Sequence, residues 1–256
     1  MKRELKMAIM LNHNDSHQHS LETLTVLNQY QDFLNNVETL ADMGCGIGAA
    51  ASWWASLTKH DGTPRNIKVN AVDVKIDSRV IVKHPNINYI AADFSASGLP
   101  VNSQDFVWSH DSFQYSLNPF HTLNHWYDII KVDGMLLITI PYCHSIKSHR
   151  DVQTVDVTHI SNSYYNWSLG SLIMLLIANG FDCKHGHFKF DRENGWIQAA
   201  VYKLPNRPNP NISWYEMVDQ KLLPASIESS ILKNGNFNES DIVCEWIDRT
   251  QYFLSL

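Results

Sequence analysis

The chain has 256 residues, 44% of them apolar, and 26 acidic against 20 basic side chains give it a net charge of −6. That is enough apolar material for one sizeable domain with an appendage, and too much for wholesale disorder. The acidic balance argues against a nucleic-acid surface, since basic residues cluster only at Lys2, Arg3 and Lys6, and no 18-residue apolar run is present to span a membrane.

Four cysteines, Cys45, Cys143, Cys183 and Cys244, lie far apart with no CxxC pair. They fit free thiols in a reducing cytoplasm, not a zinc ribbon. Met7 to Leu11 is too short an apolar run for a signal peptide, so the expected location is cytoplasmic. His13, His17 and His19 stand close together but read as a polar lead-in to a helix, and no metal site is expected.

Ser20 is a plausible N-cap for a helix over 21–34 with an apolar stripe through Leu24, Leu27 and Leu34. Val37 to Asp42 reads as a short, mostly apolar strand that ends in an acid. Gly44, Gly46 and Gly48 follow at alternate positions, and Ala49 to Ala55 reads as a helix. Strand, glycine turn and helix open a nucleotide-binding α/β unit, with a helix N-terminus that favours an anionic group. Further strands are expected at 67–72, 87–92, 105–109 and 135–140, and the first two end in Asp73 and Asp93. A short helix is expected at 77–83. Another starts at Pro119 and reaches about Ile130, with Lys131 to Gly134 as a turn. Residues 141–166 have no period and read as a functional loop region. Ser168 caps a helix over 169–179 that Gly180 ends, and 181–190 and 196–204 read as a final strand pair. Pro205 to Asn211 is a linker by composition, and 240–254 has helical spacing of apolar residues.

The alternation predicts an α/β fold: a three-layer αβα sandwich on a mostly parallel seven-stranded sheet with an antiparallel edge strand, plus a C-terminal helical appendage. Residues 1–204 would form the domain with its N-terminal helix, and 205–256 the linker and appendage, packed on the core.

Two readings of the glycines compete. Gly44-x-Gly46-x-x-Ala49 fits the dinucleotide fingerprint of nicotinamide-dependent oxidoreductases. Gly44-x-Gly46-x-Gly48 preceded by Asp42 resembles motif I of the class I S-adenosylmethionine (SAM) dependent methyltransferases. Asp42 favours the second, because a carboxylate there would repel a dinucleotide's phosphates and suits a sulfonium carrying an ammonium group. The resemblance covers residues 20–204 and implies SAM as cofactor. It assigns Asp42, Gly44, Cys45, Gly46, Gly48, Asp73, Val74, Asp93, Phe94 and Ser109 to the cofactor. Asp73 would accept the ribose hydroxyls, Asp93 would take the adenine amino group, and Phe94 would stack on the ring.

Ser109-His110-Asp111-Ser112 follows the fourth strand, where the resembled fold places the reacting methyl group. The motifs of DNA-amino, cytosine-C5, protein-arginine and metal-dependent O-methyltransferases are missing here. That leaves a small molecule, a sugar, a lipid precursor or a peptide as acceptor. Histidine titrates in the range a base needs, and His110 and His159 are the candidates. His159 belongs to a His159, Ser168, Leu172, Leu176, Gly180-Phe181 run that resembles small-molecule enzymes of the family. Gln114, Tyr142, His144, Tyr164 and Tyr165 are expected to line the acceptor pocket. A noncatalytic methyltransferase-like subunit is the third reading.

Overall fold

The computed structural model describes residues 30–59, 61–76, 83–141, 165, 167–191 and 196–237. The expected helix over 21–34 is described from Tyr30 onward. The helices expected at 77–83 and 240–254 lie outside the described residues, apart from residue 83.

The chain begins with a short helix α1 (Gln31–Asn35), strand β1 (Thr39–Met43), helix α2 (Ala49–Ala55), and strands β2 (Lys68–Asp73) and β3 (Ile87–Ala91). A 3-10 turn (Phe94–Ala96), β4 (Gln104–His110) and a second 3-10 turn (Phe113–Tyr115) lead to α3 (Pro119–Ile129) and β5 (Ile130–Pro141). Helix α4 (Leu169–Ala178), β6 (Phe181–Asp191), β7 (Trp196–Lys203), α5 (Trp214–Asp219) and α6 (Ala225–Asn234) complete the described elements.

The helix starts are written in the sequence. Pro119 occupies the first turn of α3, where its missing N–H costs nothing, and the Asn118 side chain accepts the His121 N–H. Ser168 and Ser171 form a reciprocal capping box at α4, and Ser213 and Glu216 do the same at α5.

All seven strands form one sheet in the order β3-β2-β1-β4-β5-β7-β6. Strands β1 to β5 are mutually parallel, and β7 runs antiparallel between β5 and β6. The edge strand β6 is therefore antiparallel to its only partner. One difference from expectation is the start of β5. Residues 131–134, which read as a turn, belong to the strand as a bulge: Gln104 pairs with Ile130, and Phe106 already pairs with Met135. Asp133 takes a left-handed φ of 62° there, which lets the extra residues loop outward without breaking the pairing.

Strand alternation divides the core into two apolar layers. Leu40, Val69, Ala71, Phe106, Trp108 and Leu137 pack with Trp54 of α2 and Leu34 of α1 on one face. Val72, Val107, Leu136, Ile138 and Ile140 pack with Trp126 of α3 and Leu172 and Ile173 of α4 on the other. Each fully buried Val, Leu, Ile or Phe among them contributes about 1.5–3 kcal/mol relative to exposure. The appendage joins the second layer through Met217, Leu223, Ile227 and Ile231. Its linker is pinned where the Tyr127 ring lies between Lys203 Nζ at 4.5 Å and the Arg207 guanidinium at 4.0 Å.

The chain leaves β1 toward β2 and β3, then crosses back to β4. The order therefore reverses between β1 and β4, and in open α/β sheets the crevice outside the carboxyl ends at that point takes the ligand.

Candidate functional site

The β1 end turns on three glycines, all with positive φ: Gly44 at 81°, Gly46 at 52° and Gly48 at 80°. Their reasons differ. A Cβ on Gly44 would lie 2.3 Å from Ser112 Cβ, and one on Gly48 would lie 2.6 Å from the Tyr89 hydroxyl. These two glycines are required by the protein's own side chains. A Cβ on Gly46 would meet nothing within 4 Å, so the open space of the turn lies at Gly46. The Gly44 and Cys45 amides donate to Val72 O at 2.8 and 3.0 Å, which fixes the turn to the neighbouring strand.

Asp42 is only 2% exposed, and its Oδ2 has no hydrogen-bond partner among the described residues. Burial pushes its carboxyl up to about 7, helped by the nearby Asp73 and opposed by the Ala51 amide. Asp73 stands at the end of β2, half-buried. Its Oδ2 accepts the Gly46 N–H at 3.0 Å and its Oδ1 accepts the Lys75 N–H at 3.3 Å. The predicted ribose acceptor thus also holds the glycine turn in shape. Cys45 is buried, and burial together with Asp42 and Asp73 raises its thiol far above the usual range, so it is a neutral wall.

Val74, next to Asp73, is 69% exposed, an apolar side chain left open at the rim. Asp93 is exposed, and its Oδ1 already caps the following turn by accepting from Ser95 N at 2.8 Å and Ser95 Oγ at 2.7 Å. Phe94 is half-buried, its ring 5.9 Å from Trp126 and its carbonyl accepting the Trp126 Nε1–H at 2.9 Å. The predicted stacking face is therefore partly occupied from within.

Ser109 stands near the end of β4. Ser109 is fully buried, and its hydroxyl meets Ser112 Oγ at 2.8 Å. Ser112 gives its own proton to Met43 O at 2.6 Å, so Ser109 must donate to Ser112. Ser109 supports Ser112, which in turn packs against Gly44. His110 is half-buried, its ring stacked 6.0 Å from Trp108 and 5.8 Å from Trp196. Asp111 adopts a left-handed φ of 52°, which reverses the chain and presents its carboxylate to Gln114 Nε2 at 2.5 Å. Gln114 is only 2% exposed, so this predicted pocket residue braces Asp111 instead of facing an open pocket.

Of the remaining expected residues, Tyr165 is exposed and donates to Leu117 O at 2.9 Å. Tyr142, His144, His159, Tyr164 and the histidines at 13, 17 and 19 lie outside the described residues. Sequence reasoning missed Ser112, Tyr89 and Trp196. An aromatic in the polar edge strand β3, beside Asn88, was the available signal for Tyr89; Ser112 needed the β1–β4 adjacency.

The donor set fits SAM. A buried carboxylate oxygen without a partner suits a cation, the cradle at Gly46 has no Cβ to fill it, and Asp73 retains lone pairs for hydroxyls.

A family model described as a methyltransferase domain matches residues 41–138. No curated protein matches the chain in sequence. A chain of the Haloferax volcanii complex between the Trm112 methyltransferase activator and a methyltransferase is 17% identical at a TM-score of 0.53, covering 78% of this chain and 97% of that one. A structure assigned as a sarcosine dimethylglycine methyltransferase of Galdieria sulphuraria is 16% identical at 0.56, covering 73% and 86%. Haemonchus contortus phosphoethanolamine N-methyltransferase 2, in complex with phosphomonomethylethanolamine and S-adenosylhomocysteine, is 17% identical at 0.53, covering 72% and 53%. At such identities the likeness is one of fold.

Proposed function

We propose that this chain, which matches a methyltransferase-domain model over residues 41–138 and shares its fold with solved methyltransferases, is a class I SAM-dependent enzyme that transfers the methyl group of SAM to a small-molecule, sugar or lipid-precursor acceptor at an O or N atom. The observation that carries this reading is Asp42 Oδ2, a buried acceptor beside the glycine turn with no partner among the described residues. Asp42, Gly44, Cys45, Gly46, Gly48, Asp73, Val74, Asp93 and Phe94 would hold the cofactor, which supplies a methyl group on a sulfonium for in-line displacement.

The chain's own contribution is alignment and proton handling. Gly46 leaves the turn open to close approach. Asp73 accepts hydroxyl protons on the lone pairs not used by Gly46 and Lys75. Asp42 offers the ligand's positive charge a carboxylate that no described basic side chain already neutralises. His110, fixed between two indoles at the end of β4, orients the acceptor or takes its proton at a ring nitrogen, with His159 as the second candidate base. One similar structure is named a sarcosine dimethylglycine methyltransferase and another a phosphoethanolamine N-methyltransferase, and both names point to small molecules, which supports a small acceptor here.

The nicotinamide reading is disfavoured by Asp42 at the end of β1, a carboxylate that would lie near a dinucleotide's phosphates. A cytoplasmic setting remains our reading of the cysteines; among the described residues no helix is long and apolar enough to cross a membrane. Calorimetry with SAM, S-adenosylhomocysteine, NAD and NADP tests cofactor choice. Binding of NAD without SAM would sink the reading. Transfer of labelled methyl to a low-molecular-weight acceptor separates an enzyme from a subunit that only binds.

A further inference from the structure

Asp42 joins three features that a resting ion-pair partner would not show together. It is 2% exposed, its Oδ2 is unpartnered among the described residues, and the charged group acting on it is another acid, Asp73 of β2. Among the described residues, the groups that act on it from other elements supply no counter-charge. Cys45 in the turn and Tyr89 of β3 are both held in their neutral forms, Cys45 by burial and then by Asp42 and Asp73, Tyr89 by burial and then by Cys45 and Asp42. The register partner on β4 is Trp108, an uncharged side chain. From α2 only the Ala51 amide favours the carboxylate form. An isolated buried carboxylate is costly, and the cheap remedy for the free protein is to keep its proton.

We propose that binding of the cationic cofactor expels one proton from Asp42, so that cofactor affinity is set by pH. This rests on the SAM reading above. In the free protein near neutrality Asp42 is a mixture of carboxylic acid and carboxylate. In the complex the positive charge of the ligand makes the carboxylate the favoured form. The O–H bond of the acid breaks, the electron pair stays on the carboxylate oxygen, and the proton passes to buffer. The sulfonium charge of the ligand does not titrate, so at pH 6.0, where its ammonium group is also fully protonated, one site exchanges H⁺ for a bound cation. Acidification therefore weakens SAM, and alkaline conditions bring affinity to a plateau.

The test is titration calorimetry of the full chain with SAM, at pH 6.0 and 8.5, each in two buffers of different ionisation enthalpy. A midpoint near 7 predicts release of about 0.9 proton at pH 6.0 and about 0.03 at pH 8.5. Affinity should fall by about tenfold per pH unit below the midpoint. Asp42→Asn should bind more weakly, with no buffer-dependent heat at either pH. Asp73→Asn removes the neighbouring charge, so it should keep the proton release but move its midpoint to lower pH, which tests the idea even if Asp42→Asn does not fold. SAM binding with the same heat in both buffers at pH 6.0 overturns the proposal and leaves the methyltransferase reading standing. Absence of SAM binding at both pH values overturns both.

Discussion

Replacing Asp73 by Ala separates the two tasks its carboxylate performs. In the free protein it would remove the acceptor for the Gly46 N–H at 3.0 Å and for the Lys75 N–H at 3.3 Å. The site is half-exposed and the second bond is long, so the loss of stability should be about 0.5–1.5 kcal/mol. In the complex it would also remove the acceptor for two ribose hydroxyls. Charge-assisted bonds contribute about 1.5–3 kcal/mol each, and with the exposure discounted the total loss should be about 1.5–3 kcal/mol, or roughly 10- to 100-fold in SAM affinity. Asp73→Asn keeps an amide oxygen for Gly46 and should melt near the parent while binding SAM with an intermediate constant. The assay is calorimetry with S-adenosylhomocysteine and its 2′-deoxy analogue on parent and Asp73→Ala. The parent should lose affinity for the deoxy analogue and the variant should lose little more. Equal penalties in both proteins would show that Asp73 never touches the ribose and serves only the turn.

Three further outcomes follow from the site. Asp42 ionises near 7 in the folded protein against 3.8 for an ordinary aspartate. Its stabilising neutral form is fully available below about pH 4 and is lost as pH rises through 7, at a total of about 4 kcal/mol. Asp42→Asn escapes that loss but buries an unpaired amide at about 1–3 kcal/mol, so thermal melts should show it more stable than the parent at pH 8 and not at pH 4. Gly44→Ala combines a strained φ with a Cβ driven into Ser112, and denaturant titration should show a loss of about 2–5 kcal/mol; Gly46→Ala meets open space and should lose only about 1–2 kcal/mol of stability while weakening SAM. His110→Ala should lower turnover on the true acceptor by about 10²- to 10⁴-fold with SAM affinity nearly intact, and the same rate measurement on His159→Ala decides which histidine acts; full rate in both excludes a histidine base.

The strands were legible as short apolar runs, because the central ones are covered on both faces and buried almost throughout. Leu40, Phe106 and Leu137 face one layer while Ala41, Val107 and Leu136 face the other, and each strand except β5 begins and ends within a residue or two of its reading. β5 began early because Lys131-Val132-Asp133-Gly134 has turn chemistry and is used as a bulge, a distinction that depends on the partner strand. The acids at the ends of β1 and β2 were visible as the last polar residues of apolar runs. What each glycine serves was not. Ser112 and Tyr89 reach Gly44 and Gly48 from β4 and β3, and only the strand order makes them neighbours. Gln114 looked like a pocket residue by position, yet a left-handed Asp111 turns it inward, and a backbone angle of that kind leaves no mark in a one-dimensional pattern.

The placement of Trp108 has an optical consequence. It lies in register beside Asp42, fully buried, with Trp54 edge-on at 5.7 Å and Trp53 in turn 4.8 Å from Trp54. The indole N–H groups of Trp54 and Trp108 have no hydrogen-bond partner among the described residues, so the local field dominates their excited states. A charge that appears or vanishes on the adjoining carboxylate must change the emission of this cluster. The protein thus carries an unlabelled fluorophore wired to the one group whose ionisation matters most, and a pH or ligand titration can be followed in a cuvette without any added dye.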